Sequence, residues 1–540
     1  MKSPLAQRRP SRASSLPAPA SVSKAEHQVR QARIQERTGR VEDAVRGYLW
    51  AIHLAEKNEE PEVLAEALRR LSVIHHMRGE MAAARSECTR SLEIAQAHGD
   101  GRLAARALNT LASYDMERGE HEAAEASFRR ALFLAAGDPG ISAQIEQNLG
   151  ILANIRGWIN DALEHYRRSL AGFRKAGDRR GCAIAYHNLG MISSDRRQWD
   201  EADRYYRRTL ALAGRLGDVY LEGLALLNRA EVRIEQQRFA EAWDCVERAL
   251  EIFRQTRDTA GEASAQRFLG TIYRETRAIV LAEAHLHLAI DLSRRAGSPL
   301  EEAESLRELA LVYRSLGRNR DALTSLNSSH RLFLELEASL DRSDVLARVE
   351  RLEETFLAIV SSWGESIESK DSYTHGHCGR VAEYAGRVAG ALGLGEEERT
   401  TIQVGAYLHD LGKMRVPVEI LNKEGPLTDA EFDTVRLHPI WGVELLDRVE
   451  FPWDINPIIR WHHERHSGGG YPDQLSGDGI PTAAQIICIV DVFDALTTRR
   501  SYRAAMTPDA AIESIVRDRH WWRYDVFDAF MTAIRTPTIG

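Results

Sequence analysis

Several features that would point to particular protein classes are missing from this 540-residue chain. The five cysteines lie far apart and form no CxxC pair, which argues against a disulfide framework or a cysteine-ligated zinc and suits a reducing, cytoplasmic setting. A membrane-spanning helix needs about 18 consecutive apolar residues, and every apolar run in this sequence is much shorter, so no membrane insertion is expected. The net charge of -8 is modest, so a nucleic-acid polymer is not an expected partner.

The amino-acid composition is that of an ordinary globular protein, with 44% hydrophobic and 28% charged residues. A chain of this length predicts about two to four domains. Residues 1–24 are rich in Ser, Pro, Ala and Arg and lack the apolar segment of a secretory signal. We predict a disordered leader there, because such a composition cannot bury a core.

Alanines recur with a period close to 40 residues, at Ala44, Ala84, Ala124, Ala162, Ala202, Ala242, Ala282 and Ala322. Twelve residues before them stand small residues, namely Ala32, Ser72, Ala112, Gly150, Gly190, Ala230, Gly270 and Ala310. A glycine often lies five residues before the alanine, as at Gly39, Gly79, Gly119, Gly157 and Gly317. Small residues let two antiparallel helices approach closely, and the glycine permits the turn between them.

This pattern resembles the tetratricopeptide repeat family, in a variant longer than the common unit of about 34 residues. It covers residues 25–335 in about eight units and predicts a solenoid of helical hairpins. Such an array is either a spacer or oligomerisation surface, or a sensor that binds a peptide or protein partner in its groove. Four aromatic residues would either line that groove or pack within the hairpins: Trp199, Tyr205, Tyr206 and Trp243.

Residues 336–365 contain no proline and predict one long linker helix. Its apolar positions approximate a heptad seam, at Val345, Leu346, Val349, Leu352, Phe356 and Ile359. Two alternatives are open. The seam either forms a coiled coil in a homodimer or packs against the domain that follows.

From residue 366 onward, histidines concentrate beside carboxylates. His409 and Asp410 are adjacent at a predicted helix end and can offer an imidazole and a carboxylate to a common metal centre. His462 and His463 are also adjacent. Asp491 lies inside the apolar run AQIICIVDVFDAL, where a buried carboxylate needs a cation or several donors.

In this order the motifs resemble the HD-GYP subgroup of the HD phosphohydrolases, over residues 366–540. The resemblance implies an all-α domain that hydrolyses cyclic di-GMP with metal-activated water. The product is either linear pGpG or, after a second cleavage, GMP. It implies two divalent metal ions, iron or manganese, held by His377, His409, Asp410, His438, His462, His463 and Asp491.

The same resemblance implies catalytic and substrate-binding roles. Asp410 would bridge the two ions and Lys413 would place a cation near the scissile phosphate. The tripeptide of Gly470, Tyr471 and Pro472 would shape the pocket wall, and Arg500 and Arg503 would hold phosphate oxygens. The chain departs from the family pattern at two positions, with Ser467 in place of Asp and Ser501 in place of Pro.

The number of metal ions is predicted from one further position. Relatives with three metals carry a Glu four residues before the first histidine, whereas this chain has Tyr373 there, and a neutral phenol is a poor ligand. Glu368 lies nine residues before His377 and does not match the missing ligand. A dinuclear centre is therefore expected.

Three further expectations concern function. Two are alternatives to a cyclic di-GMP phosphodiesterase: a non-catalytic module that binds cyclic dinucleotides, and a phosphodiesterase for a mixed cyclic GMP-AMP. The third is that the repeat array regulates the domain that follows it.

Overall fold

The computed structural model describes residues 22–340, 343–368, 376–423, 425–447, 449, 451–499 and 504–535. Within these residues it consists of helices and contains no strand, which confirms the all-α prediction. The chain separates into two compact units, Met1–Leu216 and Gly217–Gly540. Of the predicted leader, residues 1–21 lie outside the described residues, and the first helix begins at Lys24.

Among the described residues, the first unit contains five helical hairpins in which each odd-numbered helix packs against the next. Its helices are α1 (Lys24–Arg37), α2 (Val41–Lys57), α3 (Pro61–Met77), α4 (Met81–Ala97), α5 (Gly101–Glu117), α6 (His121–Leu134), α7 (Pro139–Ile155), α8 (Ile159–Ala176), α9 (Arg179–Asp195) and α10 (Trp199–Leu216). The second unit opens with three more hairpins, made of α11 (Val219–Glu235), α12 (Phe239–Thr256), α13 (Thr259–Glu275), α14 (Ile279–Ala296), α15 (Pro299–Ser315) and α16 (Asn319–Leu340).

Close packing within each hairpin depends on the periodic small residues. All eight alanines of the 40-residue pattern are fully buried. A Cβ atom on Gly190 would lie 2.5 Å from the ring of Tyr206, so only glycine allows these two helices to approach as they do. Tyr206 is therefore a hairpin residue, whereas Trp243 is 40% exposed.

The turn inside each hairpin places one residue in the left-handed backbone region. Five hairpins use glycine at this position, with φ between 68° and 79°, at Gly39, Gly79, Gly119, Gly157 and Gly317. The other three use residues with a side chain, namely Arg197 (φ 56°), Gln237 (φ 58°) and Arg277 (φ 66°). The turn geometry is thus kept even where the glycine is absent, at a cost in backbone strain.

Of the predicted linker, residues 336–340 end α16 and the residues from Ser343 onward belong to α17 (Ser343–Glu368). The apolar stripe of α17 is buried inside the second unit. Leu352, Phe356 and Ile359 are fully buried in a core that also contains Phe333 of α16. The ring of Phe356 meets the ring of Trp453 edge to face at 5.3 Å. This packing favours the alternative in which the stripe packs against the domain that follows, rather than forming a coiled coil in a homodimer. The side chains of Val345 and Leu346 lie outside the described part of the chain.

After α17 the chain forms shorter helices: α18 (His377–Ala391), α19 (Glu396–Leu408), α20 (Val418–Leu421), α21 (Asp429–Val435), α22 (His438–Leu446), α23 (Asn456–Trp461), α24 (Thr482–Thr497), α25 (Pro508–Arg517) and α26 (Tyr524–Arg535). Three 3-10 helices lie between them, at Leu411–Arg415, Gly477–Gly479 and Arg519–Trp521. A second core joins α18, α19 and α24–α26, with α24 nearly enclosed. Across the described ranges, no helix combines the length and apolar character needed to span a bilayer.

Candidate metal centre

The ends of several helices bring all seven predicted metal ligands together. His377 and His438 are the first residues of α18 and α22. His409 directly follows α19, and His462 directly follows α23. Asp491 projects from the buried helix α24. The seven side chains form two groups, and within each group one ligand atom per residue lies within 4.8 Å of the others: Asp410, His438, His462 and His463 in one, and His377, His409 and Asp491 in the other.

Asp410 belongs to the first group, and its two oxygens face different groups. Its Oδ1 lies 3.3 Å from Nε2 of His438. Its Oδ2 lies 3.4 Å from Nε2 of His409 and 3.7 Å from Nε2 of His377. This is the arrangement that a carboxylate needs in order to bridge two cations. The ammonium group of Lys413 also contacts Oδ2, at 2.6 Å.

Three of the histidines are oriented by their own backbone. In each, Nδ1 lies 2.6–2.8 Å from the carbonyl oxygen three residues earlier: Ala406 for His409, Val435 for His438 and Ile459 for His462. A carbonyl oxygen only accepts hydrogen bonds, so Nδ1 must carry the proton in these contacts. The lone pair on Nε2 is then free to face the centre of the cluster.

His377 is oriented by a carboxylate instead. Its Nδ1 lies 2.7 Å from Oδ2 of Asp494, and Nε of Arg380 donates to Oδ1 of the same residue at 2.6 Å. Burial raises the pKa of Asp494, but the hydrogen bonds from His377 and Arg380 outweigh it and lower the pKa to about 2. Asp494 stands three residues after Asp491 on α24, and neither its orienting role nor that of Arg380 was predicted from the sequence. The three-residue spacing was the available signal.

The protonation states in the cluster suit cation binding. Burial lowers the pKa of His438 to about 4 and holds the pKa of His462 and His463 well below the usual range. These imidazoles are therefore neutral at neutral pH, as metal coordination requires. Burial opposes ionisation of Asp410, yet the charge of Lys413 and then the histidines keep its pKa well below the ordinary value.

His377 differs from the other buried histidines. Burial lowers its pKa, but the hydrogen bond to Asp494 and the charges of Asp491 and Asp410 outweigh burial, so the pKa is raised. Its Nε2 lies 3.4 Å from Oδ1 of Asp491. The position in front of Nε2 thus attracts positive charge, either a proton or a metal ion.

Two glycines allow the backbone segments of the cluster to touch. A Cβ atom on Gly412 would lie 1.8 Å from the carbonyl oxygen of His438 and 2.7 Å from the amide nitrogen of Gly442. A Cβ atom on Gly470 would lie 2.5 Å from Cα of Glu464. Glycine is therefore required at both positions for the segments to pack this closely.

The predicted wall of the pocket lies beside the cluster. The ring of Tyr471 is 4.7 Å from the ring of His463, and the guanidinium of Arg436 is 5.7 Å from the Tyr471 ring. Arg436 was not among the predicted residues. Pro472 follows in the same loop, which the buried Glu464 holds by accepting the backbone N–H of Asp473 at 2.7 Å. Ser467, where the family pattern has Asp, is exposed.

Four positions used in the sequence predictions lie outside the described residues: Tyr373, Arg500, Ser501 and Arg503. Glu368 accepts the backbone N–H groups of Gly376 at 2.6 Å and Cys378 at 2.5 Å. Its carboxylate thus caps the start of α18.

Comparison with known proteins agrees with both resemblances. Residues 361–526 match the HD domain model, and residues 63–135 and 142–215 match a tetratricopeptide repeat model. The chain therefore carries an HD domain and tetratricopeptide repeats, as predicted.

Three curated relatives align with part of the chain. The cyclic di-GMP phosphodiesterase response regulator RpfG of Xanthomonas campestris is 40% identical over 32% of this chain and 47% of its own length. The 3'3'-cGAMP-specific phosphodiesterase 2 of Vibrio cholerae is 37% identical over 32% of this chain and 33% of its own length. A cyclic di-GMP phosphodiesterase of Thermotoga maritima is 37% identical over 27% of this chain and 41% of its own length. The chain thus spans less than half the length of each of these relatives.

Proposed function

We propose that the HD domain of this chain is a metal-dependent phosphodiesterase that hydrolyses cyclic di-GMP to linear pGpG. The observation that carries the proposal is the position of Asp410, which presents one oxygen to each of two groups of ligand atoms. The names of the three relatives support a cyclic dinucleotide as the substrate class. A cytoplasmic location is part of the proposal, because the cysteine spacing suits a reducing compartment.

The donor set fits two divalent ions. Imidazoles and carboxylates are the ligand types that iron and manganese accept, and the neutral imidazoles of His438, His462 and His463 need no proton loss to bind. Nε2 of His409 is buried and has no hydrogen-bond partner among the described residues. A buried polar atom without a partner is costly, and a bound cation would satisfy it. We propose iron or manganese on this basis.

Bound ions would neutralise the charge of the phosphodiester and supply an activated water for its cleavage. The residues of the chain would position the substrate. Lys413 keeps 19% of its side chain exposed beside Asp410, so its ammonium group can reach a phosphate oxygen. Tyr471 and the Arg436 guanidinium form a wall suited to a base or ribose. The resemblance adds Arg500 and Arg503 as phosphate-binding residues.

Two ions, rather than three, are part of the proposal. Glu368, the acidic residue before His377 on α17, has both carboxylate oxygens engaged by backbone N–H groups. These hydrogen bonds hold the carboxylate at the start of α18, which argues against its use by a third cation. We expect such a centre to stop at the linear dinucleotide.

Turnover of a small substrate panel by anaerobically purified protein tests the activity. Cyclic di-GMP and 3'3'-cGAMP are compared for wild type, Asp410→Asn and the matched control Asp528→Asn, an exposed carboxylate on α26. We expect loss of turnover in Asp410→Asn only. Faster turnover of 3'3'-cGAMP would favour the mixed-dinucleotide alternative. Binding of both nucleotides without turnover, at full metal occupancy, would favour a non-catalytic module.

We further propose that the repeats regulate this centre through α22. The core that holds α17 in the second unit contains side chains of α14–α16 and also of α19, α22 and α23, whose ends carry metal-ligand candidates. In addition, Nη2 of Arg320 on α16 donates to the carbonyl oxygen of Leu445 at 2.7 Å, near the C-terminal end of α22. His438 begins the same helix, so a movement of α16 would be passed to a ligand. The peptide or protein partner of the groove stays a prediction.

Arg320→Ala tests this route, with Arg331→Ala, an exposed position on the same helix, as the control. An exposed charged contact contributes about 0.5–1 kcal/mol. We therefore expect kcat to change by about two- to fivefold without a comparable change in KM. Equal kcat and KM values in both variants would show that the repeat array does not act on the metal centre through this contact.

A further inference from the structure

Three arginine side chains and one tyrosine line a cleft of the first unit. The cleft has a volume of about 360 Å³, is partly open to solvent and lies among α8, α9 and α10. Its lining is formed by Arg174, Arg179, Cys182, Tyr186, Arg208, Ala211 and Leu212. Sites for small molecules typically enclose about 300–1,000 Å³, so the cleft has a suitable size.

Two of the guanidinium groups converge on one neutral oxygen. Arg174 and Arg208 both donate a hydrogen bond to the hydroxyl of Tyr186. Their guanidinium carbons lie 5.6 and 5.3 Å from the centre of its ring. Tyr186 itself is 8% exposed and is held in place by the surrounding helices. Like charges are thus gathered around a buried aromatic ring.

Within the described ranges, no carboxylate lies within ion-pair distance of Arg174, Arg179 or Arg208. By contrast, Arg207, one position before Arg208, pairs with Asp203 at 3.1 Å. Asp178 precedes Arg179 in the chain, but its carboxylate accepts the backbone N–H of Gly181 at 2.9 Å and caps α9. An external anion would neutralise the cluster.

The rest of the lining indicates what the anion would carry. Cys182, Ala211 and Leu212 give the cleft an apolar side next to the arginines. The exposed planes of arginine guanidinium groups stack with planar aromatic groups, and arginine binds phosphate through two parallel hydrogen bonds. We propose that this cleft binds an aromatic anion of the nucleoside monophosphate class. The site uses none of the residues of the candidate metal centre and goes beyond the proposed phosphodiesterase function.

Calorimetric titration of the full-length protein tests the site, with GMP as the probe and with inorganic phosphate and guanosine as its two fragments. Arg208→Glu is compared with Arg130→Glu, which makes the same charge change at an exposed arginine of α6. We expect saturable GMP binding that is tighter than phosphate or guanosine binding. It should weaken by about tenfold or more in Arg208→Glu and stay unchanged in Arg130→Glu. Circular dichroism establishes that both variants are folded.

Three outcomes would overturn the proposal. If the wild type shows no saturable GMP binding, the cleft is not a binding site for this class of ligand. Equal GMP affinity in Arg208→Glu and the wild type assigns the binding to another part of the chain, such as the metal centre. Phosphate binding as tight as GMP binding removes the aromatic part of the ligand class.

Discussion

Replacing Asp494 with Asn removes the charge that orients His377 and leaves the size of the side chain unchanged. Asp494 accepts a hydrogen bond from His377 at 2.7 Å and two from Arg380, at 2.6 and 3.1 Å. All three partners are donors, so the amide nitrogen of an asparagine would face another donor. At least one of these contacts must therefore be lost.

The size of the effect follows from the kind of contact. A hydrogen bond to a charged group contributes about 1.5–3 kcal/mol. Removing the carboxylate partner of a metal-binding histidine typically lowers metal affinity by about 10–100-fold, which is a similar free energy. We expect Asp494→Asn to weaken Mn²⁺ binding by this factor, because a neutral amide holds the His377 ring with Nε2 toward Asp410 and Asp491 less firmly than a carboxylate does.

Competition with a fluorescent chelator measures the affinity, and circular dichroism reports the fold. Asp528→Asn serves as the control, since it makes the same substitution at an exposed position of α26. An affinity of Asp494→Asn within about threefold of both wild type and control, with the fold intact, would refute the orienting role.

Three other substitutions test the packing and the charges. Gly412→Ala would place a methyl carbon 1.8 Å from the carbonyl oxygen of His438, so we expect kcat to fall by about tenfold or more while helical content by circular dichroism is kept. Arg197→Gly relieves a left-handed residue (φ 56°) and should raise the free energy of unfolding in urea by about 0.5–1 kcal/mol. Burial raises the pKa of Glu304, but neighbouring arginines outweigh it and lower the pKa from 4.5 to about 2. Its contribution of about 3 kcal/mol is therefore present above pH 4.5 and is lost as the pH falls toward 2, and Glu304→Gln should abolish that part of the pH dependence in urea unfolding.

The hairpins were predictable because their determinants are local and repeat. Alanine and glycine at fixed positions report close packing and a left-handed turn, and both are found where the period predicts them. Arg197 was not recognised as a turn residue, because its side chain gives no sign of the backbone conformation that the hairpin imposes. The two alternatives for Phe356 could not be separated either, since an apolar stripe has the same spacing whichever partner covers it.

The candidate ligands were predictable because their motifs are compact and chemically unusual. Their partners were not, since Asp494 and His377 are 117 residues apart in sequence. Only the packing of α18 against α24 brings them together. In the same way, the contact of Gly412 with the carbonyl oxygen of His438 depends on the approach of two separate segments.

The number of metal ions bound per chain, in wild type and in Asp410→Asn, tests the shared role of Asp410 most directly. Elemental analysis of anaerobically purified protein should give two iron or manganese ions in the wild type and at most one in Asp410→Asn. The variant should also lose turnover of cyclic di-GMP while its helical content is unchanged. Two ions and most of the turnover in Asp410→Asn, or three ions in the wild type, would contradict a dinuclear centre bridged by this carboxylate.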